Sequence, residues 1–328
     1  MNSRNIPRFI LILPMMLALL AGSSFWNLAA AQSHETEVFY EVGMKYRFPD
    51  GSEGVVCYVD PDNPHRGWAV ALEDLKEGKI DALVTSPVNN ATIKLGDGAT
   101  LKSQTAYIEE VAGEGKKALK IFIADHLRIA LATDKIPVSE IPAHINKDAL
   151  AERLVILHNT LKRDFFIDNP RIAVLALNPH ADGKEEQEII APVIDELFKR
   201  GVRCIGPYAA EDFFGSGNYN RFDAVFAMYY DQGVSAFKSI AQNDGINFTA
   251  GLPVIRTAPA IGVCYDLAGK NMIEDEQSFR QAIYTAVDVA RNRTRFDKER
   301  VNPLQKQYVS KRDDSDKLKL DQVTEEDN

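Results

Sequence analysis

A histidine closes the run Arg171–His180, which reads RIAVLALNPH. The residues before it, 171–177, are mostly apolar and include the β-branched Ile172 and Val174, with Asn169-Pro170 on one side and Asn178-Pro179 on the other. An apolar run with turn residues at both ends predicts a buried parallel strand whose carboxyl end opens into a polar loop. Ligands collect at such ends in open α/β sheets. His180 therefore stands where a metal or catalytic ligand would stand; the plainer alternative is a loop histidine that caps or packs. The stretch Thr85-Ser86-Pro87-Val88-Asn89-Asn90, with Gln104-Thr105-Ala106-Tyr107 after it, gathers hydroxyls and amides near a strand end. Such groups bind phosphate or hydroxyl groups, or simply cap turns. Met228-Tyr229-Tyr230-Asp231-Gln232-Gly233 places an acid at a strand end, and Lys238 follows one or two helical turns on. In 247–256, NFTAGLPVIR, Asn247 and Arg256 flank an apolar segment. Lys238 and Arg256 suit a phosphate, with the guanidinium offering a planar fork; taken singly, each is as readily a surface charge.

These residues need a scaffold, and the pattern from Lys79 onward supplies one. Strands are predicted over 80–85, 119–124, 127–133, 171–177, 202–205 and 224–228, and helices over 103–111, 147–163, 185–200 and 277–293. Asn146 is the expected cap of the helix that shows Leu150, Leu154, Leu157 and Leu161 on one face. Gly201 is the expected residue just past the next helix. Alternating strands and helices predict an α/β fold with a largely parallel sheet.

The ends of the chain differ in character. Residues 1–31 read as a secretory signal: Arg4 and Arg8 come first, Phe9 to Ala21 is apolar, and Ala29-Ala30-Ala31 fits a small-residue cleavage site. The expectation is an exported chain, periplasmic or extracellular, with no membrane span once the signal is removed. Residues 32–75 predict a small β-rich segment of uncertain origin, with Phe48-Pro49-Asp50-Gly51 as a turn. Residues 309–328 are densely charged and predict a disordered tail. A net charge of -9 argues against a nucleic-acid surface. The three cysteines are far apart, so neither a zinc knuckle nor a fully paired disulfide framework is indicated. Neither GxGxxG nor GxxxxGK[ST] occurs.

Taken together, the blocks DALVTSPVNN, RIALAT, RIAVLALNPHA, EEQEIIAPVIDEL, FFGSGNY, AMYYDQG and NFTAGLPVIRT resemble the 4-hydroxythreonine-4-phosphate dehydrogenase family of pyridoxal-phosphate biosynthesis, from about Lys79 to about Arg312. The resemblance implies a two-domain α/β/α fold over 79–308, like that of isocitrate and isopropylmalate dehydrogenases, and a homodimer with its site at the subunit interface. It implies NAD-dependent oxidation and decarboxylation of a phosphorylated hydroxy-amino acid, with a divalent metal (Zn, Mg or Co) held by three histidines. His180 matches one metal position, while the other two carry Lys135 and Tyr230. The substrate-side residues Thr105, Lys238, Asn247 and Arg256 match, and Lys238 and Asp231 are the catalytic candidates. A Gly-His-Thr-Glu block reads Ser103-Gln104-Thr105-Ala106, and an Asp-His-Gly-Thr block reads Ala260-Ile261-Gly262-Val263. The family's glycine-rich opening strand and loop are expected to be missing, and no residue is assigned to NAD. The expected function is that of a family protein with reduced or lost activity that keeps its anion binding. The alternatives are an exported, non-enzymatic anion-binding or surface chimera, and a working enzyme that recruits Asp134 or Asp231 beside His180.

Overall fold

The structure, a computed structural model, describes residues 9–13, 45–47, 53–58, 74–85, 87, 103–125, 127–242, 244–262 and 277–301. For the first three of these segments only the backbone course is described. One mixed sheet runs through the molecule. Its strands are β1 (Phe9–Leu13), β2 (Lys45–Arg47), β3 (Glu53–Tyr58), β4 (Ala82–Thr85), β5 (Leu119–Ala124), β6 (Leu127–Leu131), β7 (Arg171–Leu175), β8 (Arg203–Tyr208), β9 (Ala224–Ala227), β10 (Ile246–Ala250) and β11 (Arg256–Pro259). They lie in the order β2-β3-β1-β4-β11-β10-β5-β6-β9-β7-β8.

The expected parallel sheet is present at β6-β9-β7-β8 and at β3-β1-β4-β11. The middle is antiparallel, because β10 opposes both neighbours and β5 opposes β6. The connections explain the difference. Only two residues separate β5 from β6 and Asp125 takes a φ of 50°, so the chain must fold straight back.

Alternation along the strands sorts side chains to two faces. Ile121, Ile172, Val174, Phe226 and Phe248 join one core. The leucines of α2 (Lys147–Arg163), the stripe of α3 (Ala191–Lys199) and Ala282, Ala286 and Val289 of α6 (Gln277–Val301) cover that face. Phe122, Ile129, Leu131, Ala173, Leu175 and Ala227 face the other way, with Phe213 of α4 (Ala210–Gly215) and Val234 and Phe237 of α5 (Tyr230–Ala241). Leu83 packs with Ile108 and Ala112 of α1 (Gln104–Ala112). Helices on both faces give the expected α/β/α layering.

The helix foreseen over 185–200 is present, with a π-helical stretch, Glu186–Ile190, just before α3. Pro192 lacks an N–H and crowds the carbonyl a turn earlier, which opens the ladder there. One strand that was not foreseen falls within the expected leader. Phe9–Leu13 lies between β3 and β4, parallel to both. Consecutive Phe-Ile-Leu-Ile satisfies the apolar core of a leader and a strand buried on both faces equally well, so the pattern alone does not separate them. The rest of 1–31, most of 32–75 and all of 309–328 lie outside the described residues.

Candidate functional site

The carboxyl ends of β6, β9 and β7 point to one edge of the sheet, and their loops are fastened to each other. The Thr133 hydroxyl, just after β6, donates to the Met228 carbonyl after β9 at 2.9 Å. Gln232, on the first turn of α5, accepts from the Met228 amide at 2.8 Å and donates to the Ala176 carbonyl after β7 at 2.6 Å. α5 sits close on this layer because residue 233 is glycine. A Cβ there would meet Ala227, Ile129 and Leu131 at 2.9 Å.

The Asn-Pro-His corner after β7 is held from below by Glu186, which is 1% exposed. Its carboxylate accepts from the amides of Leu177 and Asn178 at 2.7 and 2.8 Å and from the Asn178 side chain at 2.8 Å. Burial pushes the Glu186 carboxyl up. The hydrogen bonds from Asn178 and from the Glu186 and Leu177 backbone outweigh it, and the net shift is downward. Gly183 permits this, since a Cβ there would strike the Asn178 amide nitrogen at 2.3 Å. His180 itself is exposed.

The other two positions of the expected metal set do come together. The Lys135 ammonium lies 5.0 Å from the centre of the Tyr230 ring. Asp134 is not beside His180 in any described contact; it forms an ion pair with Lys120. Asp231 is exposed on the first turn of α5, a place where an acid favours the helix dipole.

The residues expected on the substrate side occupy the face covered by α1 and α5. Arg256 is fully buried, 4% exposed, at the start of β11. Its Nη2 donates to Thr85 Oγ1 at 2.7 Å and to Gln104 Oε1, its Nε to Thr85 Oγ1 at 3.1 Å, and its Nη1 to Thr249 Oγ1 at 3.4 Å. All these partners are neutral, and among the described residues no carboxylate pairs with it. Burial pulls its guanidinium down from its ordinary value to about 10. Asn247 lies on the same face of β10 as Thr249. Its Oδ1 is buried without a hydrogen-bond partner among the described residues. Lys238, on α5, donates to the Ala260 carbonyl just past β11, and burial lowers its pKa. Thr105 is half-buried next to Gln104 at the start of α1, whose cap is Ser103. Asn89 and Asn90 lie outside the described residues.

Sequence reasoning left Glu186, Gln232 and Lys120 without a role. The first two stand inside the quoted EEQEIIAP and AMYYDQG blocks, which was the available signal. Lys120, inside an apolar strand, stood out only as a charge in a run that packing should fill.

The family model for the pyridoxal phosphate biosynthetic protein PdxA matches residues 66–286. A 4-hydroxythreonine-4-phosphate dehydrogenase of Bacteroides thetaiotaomicron is 54% identical over 261 residues, covering 78% of this chain and 71% of that protein. One from Acidithiobacillus ferrooxidans is 37% identical over 228 residues, covering 68% of each. Among solved structures, a 4-hydroxythreonine-4-phosphate dehydrogenase from Klebsiella pneumoniae superposes with a TM-score of 0.61 at 28% identity over 70% of each chain. One from Burkholderia phymatum, at 23% identity, shares the fold with a TM-score of 0.63 over 87% of this chain and 99% of that one. By this breadth of similarity the chain belongs to the PdxA family of pyridoxal phosphate biosynthesis, among the 4-hydroxythreonine-4-phosphate dehydrogenases.

Proposed function

We propose that this family member binds a phosphorylated hydroxy-amino acid through Arg256, Lys238 and Asn247, and that it has little or none of the dehydrogenase activity. One observation carries the binding half: a fully buried guanidinium whose partners among the described residues are all neutral oxygens. An isolated buried charge is costly unless an ion answers it. A phosphate arriving at Arg256 supplies that ion, and the fork matches its geometry. The Asn247 Oδ1 accepts from a hydroxyl or amino group of the same ligand.

The activity half rests on the donor set. The family implies NAD and a divalent metal in general. At the metal positions this chain offers an imidazole, an ammonium and a phenol. An ammonium has no lone pair to give and a phenol is protonated at neutral pH, so one ordinary ligand remains. That set does not fit a divalent ion, and no step is derived through one. For NAD neither nucleotide cradle occurs in the sequence, and no residue is assigned to it.

The test is a denaturation series in inorganic phosphate. Phosphate at a hundred times its dissociation constant should add about 2.7 kcal/mol to the intact protein and nothing to Arg256→Met. Equal shifts in both proteins would remove Arg256 from the site. Turnover of 4-hydroxythreonine-4-phosphate with NAD at on the order of 1 per second would refute the loss of activity. The reading carries with it a homodimer, an implication of the family resemblance that light scattering checks.

Export is a second proposal, supported by Arg4, Arg8 and the Ala29–Ala31 site. β1 counts against it, because cleavage before Gln32 removes a strand paired on both sides. Amino-terminal sequencing of the protein from its native cell separates the two: Gln32 at the start means export, an intact Phe9–Leu13 means a retained strand.

A further inference from the structure

The disagreement at the metal positions has content of its own. Lys135, Tyr230 and His180 follow the carboxyl ends of β6, β9 and β7, which are neighbours in the sheet and run parallel. Their loops are tied by the Thr133–Met228 and Gln232–Ala176 hydrogen bonds. In this fastened corner the ammonium of Lys135 sits over the Tyr230 ring. Asp134, its neighbour, is answered by Lys120. Among the described residues no carboxylate pairs with Lys135, so its charge is free for a ligand.

The register links this corner to the buried guanidinium. Arg256 donates to Thr249, and Thr249 lies directly across from Lys120 on β5. Adjacent strands are about 4.8 Å apart, so Lys120 is roughly 10 Å along the sheet from Arg256. Lys120 leads through Asp134 to Lys135. A small ligand with an anion at each end spans such a row. A phosphorylated hydroxy-amino acid has a phosphate at one end and a carboxylate at the other.

We propose that Lys135, steadied by Tyr230, is the carboxylate contact of this site and stands in for the missing divalent ion, so that ligand binding is independent of metal. The proposal rests on the phosphate-binding reading above. It assigns Lys135 a role in binding and orientation only.

The experiment is calorimetry on the full chain with 4-hydroxythreonine-4-phosphate and, separately, with inorganic phosphate, in EDTA and in added Mg²⁺ or Zn²⁺. Wild-type affinity for the first ligand should be the same within about twofold in every buffer. Lys135→Met should weaken it roughly tenfold or more, the worth of a hydrogen bond to a charged group. The same substitution should leave inorganic phosphate within about twofold, and Lys135→Arg should restore most of the loss. Lys135 is exposed, so these variants test binding without disturbing a core. Unchanged affinity in Lys135→Met, or a tenfold loss in EDTA, overturns the proposal while leaving Arg256 in place. Failure of inorganic phosphate to bind at all overturns this proposal and the phosphate-binding reading together. The double variant Lys135→His with Tyr230→His adds two imidazoles to the loops that flank the His180 loop and should gain Zn²⁺ binding. Zn²⁺ affinity equal to wild type would mean the three positions do not share a site, and the assignment falls.

Discussion

Two buried arginines of this protein have opposite surroundings. Arg293, on α6, is met by Asp164 in a two-pronged ion pair, Nε to Oδ1 at 2.7 Å and Nη2 to Oδ2 at 2.9 Å. Its remaining Nη1 donates to the Pro253 carbonyl at 2.8 Å, and the paired side chains are 9% and 3% exposed. Arg256 is as deeply buried, yet among the described residues it meets only two threonine hydroxyls and a glutamine oxygen. The first charge is closed within the protein and pins α6 to the end of α2. The second is left open. Burial without an opposite charge is unfavourable for folding alone, and the phosphate of the proposed function would answer it. Residue type and burial are alike in the two places; the presence of a carboxylate is what separates the structural lock from the proposed receptor.

The comparison can be broken most forcefully at Asp164. Asp164→Ala leaves Arg293 buried and unanswered, and should cost about 3–5 kcal/mol in urea unfolding. A loss under 1 kcal/mol would mean that the two arginines do not differ as described. At the other site the expected sign reverses. Arg256→Met, measured without phosphate, should leave stability unchanged or raise it by about 1–4 kcal/mol. A large loss would make Arg256 a second structural lock.

Smaller effects sharpen the same contrast. Gly233→Ala should cost about 1–3 kcal/mol, because the methyl presses α5 against three side chains that set the corner. The pH dependence follows from Glu186. Its folded pKa lies below the ordinary 4.5, so the unfolded chain takes up the proton first as pH falls. The stability it contributes is whole above 4.5 and is lost as acid drives the pH down through the folded value. Glu186→Gln should therefore be less stable at neutral pH and show a shallower acid limb; an acid limb parallel to wild type would remove Glu186 as its cause. Lys135→Met should matter least to folding, about 0.5–1 kcal/mol, the worth of an exposed ammonium over a ring. That small cost beside a tenfold loss of ligand is what marks a residue kept for binding.

Much of the scaffold was legible in advance. The stripe Leu150, Leu154, Leu157, Leu161 is buried as its spacing demanded, and Asn146 caps that helix, its side chain accepting from the Ala149 amide. Local periodicity and capping chemistry are properties of neighbours in the chain, and neighbours are visible in a sequence. His180 at a strand end and Arg256 beside an apolar segment were legible for the same reason. Gln104 was noted as a substitution, but its place beneath Arg256 was not foreseen. The pairing of Phe9–Leu13 with β3 and β4 was not foreseen, because an apolar run carries no mark of what it will pair with.

The sequence by itself determined most of the strands and helices between 80 and 293 and which residues could carry charge to the sheet edge. Only the tertiary structure decided which charges are answered. Arg293 finds Asp164 across 129 residues and Arg256 finds Thr85 across 171. Lys135 meets Tyr230 only because β6 and β9 lie side by side. Electrostatic energy depends on distance and burial, and both are set by the packing of segments far apart in the chain.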